Sequence, residues 1–94
     1  MAEDRKVVLA RITGRVQGVS FRAWTRSEAE ALGLSGWVRN EADGSVVALI
    51  VGTKIAVSHM VERLHVGPAG ASVEQVYVED ADPGFAPRGF RITG

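Results

Sequence analysis

Two glycines and two arginines crowd one short stretch, Gly14-Arg15-Val16-Gln17-Gly18-Val19-Ser20-Phe21-Arg22. Glycine admits backbone conformations that other residues resist, so Gly14 and Gly18 allow successive N–H groups to turn inward as a nest around an anion. Arg22 adds a planar fork of donors suited to two phosphate oxygens. The same residues also suit an ordinary strand-to-helix turn with Arg22 as a solvated side chain, because glycine-rich turns before helices are common. Three named motifs are excluded. A Walker loop needs Gly-Lys-Ser/Thr after its second glycine, and here Gly18 is followed by Val19 and Ser20. A nucleophile elbow needs glycine where Arg22 stands. A cysteine phosphatase loop would place its cysteine at the position of Val16.

The elements around this stretch give it a place in a fold. From Lys6 to Thr13 the chain alternates, with Val8, Ala10 and Ile12 on one face and Leu9, Arg11 and Thr13 on the other, which predicts a strand with one buried face. Gly14 to Ser20 breaks that alternation. From Phe21 the apolar positions Phe21, Trp24, Ala29 and Leu32 suit a helix, and Gly33 supplies the left-handed stop just past its end. "LSGWVRNE" from Leu34 and "VVALIVG" from Val46 are β-rich runs, and the Asp43-Gly44 pair between them signals a hairpin of adjacent antiparallel strands. Thr53 caps a second helix whose stripe of Val57, Met60, Val61 and Leu64 ends at Gly67-Pro68 and covers the same sheet face as the first. In "ASVEQVYVED", Val73, Val76 and Val78 break a strict period of two, which points to a bulge or a register change near Gln75. Ala81 to Gly89 reads as loop, and Phe90 and Ile92 alternate as a short edge strand would.

The order is β-α-β-β-α-β, an α+β, ferredoxin-like arrangement in which two helices pack on one face of an antiparallel sheet. A strand-to-helix connection in that order gathers unpaired N–H groups at the positive end of a helix dipole, where an anion is favoured. The 94 residues are expected to form one domain, residues 1–94, and the 46% hydrophobic content supplies its core. There is no cysteine, which removes disulfides, thiolate metal sites and cysteine nucleophiles together. Eleven basic residues balance eleven acidic ones, so an anion site must be local rather than part of a basic field of the kind that binds nucleic acid. The N-terminal apolar run is too brief for a signal peptide or a membrane span, and the expected setting is soluble and cytoplasmic. A small, balanced surface makes a monomer the default.

Taken together, "GRVQGVSFR", "GLSGWVRN", "DGSV" and the later Gly67-Pro68 resemble the acylphosphatase family, in the right order and over nearly the whole chain. The joint pattern is far more specific than its parts. The resemblance implies hydrolysis of a carboxyl-phosphate mixed anhydride to a carboxylate and inorganic phosphate, on a ferredoxin-like fold, with no metal and no organic cofactor. It places the phosphate-cradling backbone on Arg15, Val16, Gln17, Gly18, Val19 and Ser20, the essential arginine on Arg22 and the essential asparagine on Asn40. It gives the Ser20 side chain no role. The implied partners are a small-molecule acyl phosphate and inorganic phosphate as product or competitive ligand, with no nucleic acid and no membrane.

Other residues carry blander readings. Trp24 and Trp37 are expected to be core or half-buried packing. His59 and His65 lack the i, i+4 spacing of a helical metal pair, and a favourable charge near a helix end accounts for His65. Two rivals share the fold order. An RNA-binding module would need aromatic-rich central strands, which neither "VVALIV" nor "KVVLARIT" offers. A non-catalytic phosphate-binding or carbamoyl-phosphate-handling domain of a larger protein would be accompanied by further domains and cysteine-rich zinc motifs, and this chain has none.

Overall fold

The computed structural model describes residues 4–82 and 88–94. Along the chain run β1 (Arg5–Arg15), α1 (Phe21–Ala31), β2 (Ser35–Asn40), β3 (Val46–Thr53), α2 (Lys54–Val66), β4 (Ser72–Asp80) and β5 (Phe90–Ile92). The loop expected from Ala81 to Gly89 falls largely outside the described residues. The five strands form one sheet in the order β4-β1-β3-β2-β5. β1 runs antiparallel to β3 and β4, and β2 antiparallel to β3. The C-terminal strand is present, and it joins parallel to β2, so the sheet is mixed rather than wholly antiparallel.

α1 packs over β2 and β5, and α2 over β1 and β4. Strand alternation explains why both lie on one face. Val8, Ala10 and Ile12 of β1, Val38 of β2, and Val46, Ala48 and Ile50 of β3 share one cluster with Phe21 and Ala29 of α1 and Val57, Met60 and Leu64 of α2. Each fully buried Val, Ile, Leu, Met or Phe side chain of this set contributes about 1.5–3 kcal/mol of hydrophobic stabilisation. The other face of β3 is buried as well, through Val47, Leu49 and Val51, so the central strand reads as one continuous apolar run.

The helix ends follow their sequence signals. Gly33 lies just past α1 at φ 71°. Thr53 Oγ1 accepts from the Ala56 N–H at 3.2 Å and caps α2. On α1 the buried positions are Phe21, Thr25 and Ala29, spaced one turn apart. Trp24 is half-buried with its ring 5.4 Å from that of Phe21, and Trp37 is half-buried beneath the Arg39 guanidinium at 4.7 Å. Both tryptophans are therefore packing groups, as expected.

β1 runs two residues past its expected end, and the irregularity in β4 is the reason. Thr13 pairs with Gln75 and Gly14 with Val73, so Glu74 is the extra residue of a bulge. Gly14 sits against this bulge at φ 113°, where a Cβ would lie 2.2 Å from the carbonyl oxygen of Ser72. That changes its expected part: Gly14 serves the close approach of β1 to β4, not the nest. Gly14→Ala is predicted to cost about 2–3 kcal/mol of stability, measured by urea unfolding.

Candidate active site

Residues 16–20 carry the chain from the end of β1 into α1. Gly18 (φ 77°) and Ser20 (φ 61°) both have positive φ, and Val19 between them does not. Such alternation curls successive N–H groups into a concave nest. Ser20 is the N-cap of α1, yet its hydroxyl makes no capping bond, and the first turn of α1 contains no acidic residue. A non-glycine residue in this conformation costs about 1–2 kcal/mol, so the surrounding packing must impose it. Among the described residues, none of the turn and loop backbone hydrogen bonds begins at the N–H of residues 16 to 20. The start of α1 is therefore an uncapped cluster of donors at the positive end of a helix dipole.

A cavity of about 410 Å³ opens over these donors. Val16, Gln17, Gly18 and Ser20 form one side of it, the first residues of α1 including Arg22 another, and Asn40 and Ile92 the rest. Among the described residues of this lining Arg22 is the one basic side chain and none is Asp or Glu. Asn40 ends β2, paired with Val46. Its Oδ1 is buried and has no hydrogen-bond partner among the described residues. The Asn40 N–H donates to the main-chain oxygen of Gly94 at 3.2 Å, and Arg22 Nη1 donates to the same oxygen. One acceptor just beyond β5 thus ties α1 to β2. A larger groove of about 470 Å³, lined by Lys6, Lys54, Val57 and Val61, runs along α2 away from the loop and Asn40.

The structure thus gathers Val16, Gln17, Gly18, Ser20, Arg22 and Asn40 around one space. Arg15 and Val19 do not line it. Arg15 is the last residue of β1, paired with Ser72, and Val19 packs on the core. Sequence reasoning missed two contributions. Ile92 brings an apolar side chain from β5 to the cavity, and alternation with Phe90 gave its strand but not its neighbour. Gln17 Nε2 donates to the Glu41 carbonyl at 2.8 Å and the Ser45 carbonyl at 3.0 Å. Nothing in the spacing of a loop glutamine announces partners on a hairpin more than twenty residues away.

The acylphosphatase family model matches residues 8–92. The chain belongs to the acylphosphatase family. It is 62% identical over 93 residues to an acylphosphatase of Rhizobium meliloti, covering 99% of this chain and 98% of that one. It is 31% identical to the solved acylphosphatase of Coxiella burnetii, with a TM-score of 0.89 and coverage of 98% and 96%. Full-length HypF in its phosphate- and nucleotide-bound form is 19% identical with a TM-score of 0.83, and only 12% of that chain is covered, so this likeness concerns the fold alone. The activity of this chain is hydrolysis of acyl phosphates to a carboxylate and inorganic phosphate.

The hairpin that follows Asn40 is itself braced. Ser45 is buried, and its hydroxyl and N–H both donate to Asp43 Oδ1, at 2.6 and 2.9 Å. Arg11 Nη1 reaches Asp43 Oδ2 at 3.1 Å and Ser45 Oγ at 2.8 Å. The Ser45 hydroxyl first, then the Ser45 N–H, hold the Asp43 carboxyl below its ordinary value of 3.8, with a lesser contribution from Arg11 and against an opposing effect of burial. A depressed carboxylate stabilises the fold above its unfolded-state pKa, and that stability is lost as pH falls through the lower folded value. Asp43→Ala is therefore predicted to lower the thermal midpoint at neutral pH, with the gap from the unsubstituted protein narrowing as pH falls below the ordinary carboxylate value of 3.8 in a series of melts.

Proposed function

We propose that acyl phosphate hydrolysis runs in the cavity between the 16–20 loop and Asn40, with Arg22 and Asn40 as the catalytic side chains. An acyl phosphate has a carboxylate leaving group, so the reaction needs positioning and charge stabilisation more than general acid catalysis. The loop N–H groups and the Arg22 guanidinium hold the phosphoryl oxygens and stabilise their charge as the transition state forms. A water held by Asn40 attacks phosphorus in line with the acyl oxygen. The phosphorus–oxygen bond to the acyl group breaks, and the carboxylate departs with its electron pair. The amide of Asn40 does not titrate near neutrality, so it orients the water rather than deprotonating it. The proton passes to a phosphoryl oxygen or to bulk water, since no Asp or Glu lines the cavity among the described residues. Ile92 gives the acyl group an apolar wall.

The observation that carries this reading is Asn40 Oδ1, a buried acceptor without a partner among the described residues, on the lining shared with Arg22 and the loop. Buried polar atoms are satisfied in the great majority of cases, so an orphaned one in a cleft marks a place for a hydrogen-bonding guest. The proposal extends to a single domain over residues 1–94 that acts as a monomer in the cytoplasm and binds inorganic phosphate as product and competitor. The absence of cysteine and the balance of eleven basic and eleven acidic residues support that extension. No helix among the described residues is long and apolar enough to cross a membrane. Light scattering is predicted to give a mass near 10.0 kDa.

The test is benzoyl phosphate hydrolysis in the presence of a metal chelator. Turnover is predicted to resist the chelator. Asn40→Ala should lower kcat about 100- to 1,000-fold while inorganic phosphate still binds within a few-fold of its original affinity. Arg22→Ala should weaken phosphate binding and lower kcat together. Equal losses of phosphate affinity and kcat in Asn40→Ala would contradict the role given to that residue.

A further inference from the structure

The two halves of the site hang on strands that do not touch. The phosphate loop extends β1 and Asn40 ends β2, and β3 lies between them in the sheet. Two strand spacings separate those backbones by about 10 Å. In-line attack needs the water on Asn40 to sit on the axis of the breaking bond, and a misplacement of about 1 Å costs on the order of a hundredfold in rate. Some contact must therefore set the distance between loop and asparagine across β3.

Beside the Gly94 oxygen shared by Arg22 and Asn40, Gln17 makes such a contact directly from the loop. Its side-chain amide crosses to the β2–β3 turn and gives one nitrogen to both ends of it, Glu41 O at 2.8 Å and Ser45 O at 3.0 Å. Glu41 directly follows Asn40, and Ser45 directly precedes Val46, the residue paired with Asn40. The turn receiving this clip is already closed on itself, with the Glu41 N–H on the Ser45 carbonyl at 2.8 Å and the Gly44 N–H on the Glu41 carbonyl at 3.1 Å. From the other side, Arg11 and Asp43 grip the Ser45 hydroxyl. The hairpin is thus rigid before Gln17 reaches it, and the side chain transmits that rigidity to the loop. The family pattern assigned Gln17 only a backbone N–H.

We propose that Gln17 is a positioning residue for the hydrolysis, acting through Asn40: its side chain fixes the phosphate loop against the hairpin so that water and phosphorus are aligned. The proposal rests on the catalytic reading of the cavity given above. It separates Gln17 from Arg22, which meets the phosphoryl group itself. A positioning residue of this kind affects kcat through the placement of the water and leaves the phosphate-binding N–H groups in place.

The test uses Gln17→Met, which keeps length and packing without donors, and Gln17→Glu, which sets acceptors against two carbonyl oxygens. Both are measured for benzoyl phosphate turnover and for inorganic phosphate affinity, alone and combined with Asn40→Ala. Each variant alone is expected to lose about ten- to a hundredfold in kcat, with phosphate affinity within about threefold of the unsubstituted protein. In the Asn40→Ala background the further loss is expected to be under about twofold, because the group being positioned is gone. An unchanged kcat, an equal fold-loss in both backgrounds, or loss of phosphate binding in both variants overturns the proposal. Absence of turnover in the unsubstituted protein overturns the catalytic reading and this proposal with it, whereas an active parent with indifferent Gln17 variants overturns this proposal alone.

Discussion

Among the described residues the backbone N–H groups from Val16 to Ser20 donate to none of the turn and loop acceptors, and the rest of the structure is arranged to keep that short run in a single shape. Val16 and Phe21, at its two ends, are 1% and 2% exposed, so the core pins both. The bulge at Glu74 sets the direction in which β1 delivers the chain, and Gly14 is the residue that lets β4 come close enough to do it. Ser20 then takes a left-handed conformation that costs energy and is held by the same packing. A nest built from main chain stays fixed only while such neighbours fix it. Preorganised donors of this kind stabilise developing charge without having to reorganise at the moment of reaction.

The charge economy of the chain points the same way. With eleven basic and eleven acidic residues there is no general field to draw an anion in. Among the described residues Arg11, Arg26, Arg39 and Arg63 are paired with Asp or Glu side chains, whereas Arg22 donates to the main-chain oxygen of Gly94. The site therefore combines helix-terminal dipoles with the Arg22 guanidinium inside a molecule of zero net charge.

Much of this was legible in the amino-acid order because the signals are local. Alternation in β1, the apolar stripe of α2, Thr53 as a cap and the Asp43-Gly44 hairpin each depend on neighbours a few residues away, and each stands in the structure as read. The bulge near Gln75 was visible as a broken period, although its consequence for Gly14 was not, since that depends on the carbonyl of Ser72 across the sheet. Asn40 illustrates the limit most clearly. By itself it is an asparagine at a strand end, a position where turns favour it, and only the joint motif singled it out. The Gln17 clip, the Gly94 acceptor and the place of Ile92 rest on contacts between distant segments. The parallel pairing of β5 with β2 was likewise invisible to periodicity, which gives a strand but not its partner.

The central claim is that phosphate is held by the loop main chain together with Arg22. The most direct measurement is a titration of the isotopically labelled protein with inorganic phosphate, followed by the N–H resonances of the backbone and of the arginine side chains. The account predicts saturable shifts that are largest for the N–H groups between Val16 and Ser20 and for Arg22 Nε, accompanied by the Asn40 side-chain amide. Shifts centred on the α2 groove or on the sheet face of Arg11, with the loop N–H groups unmoved, would contradict it.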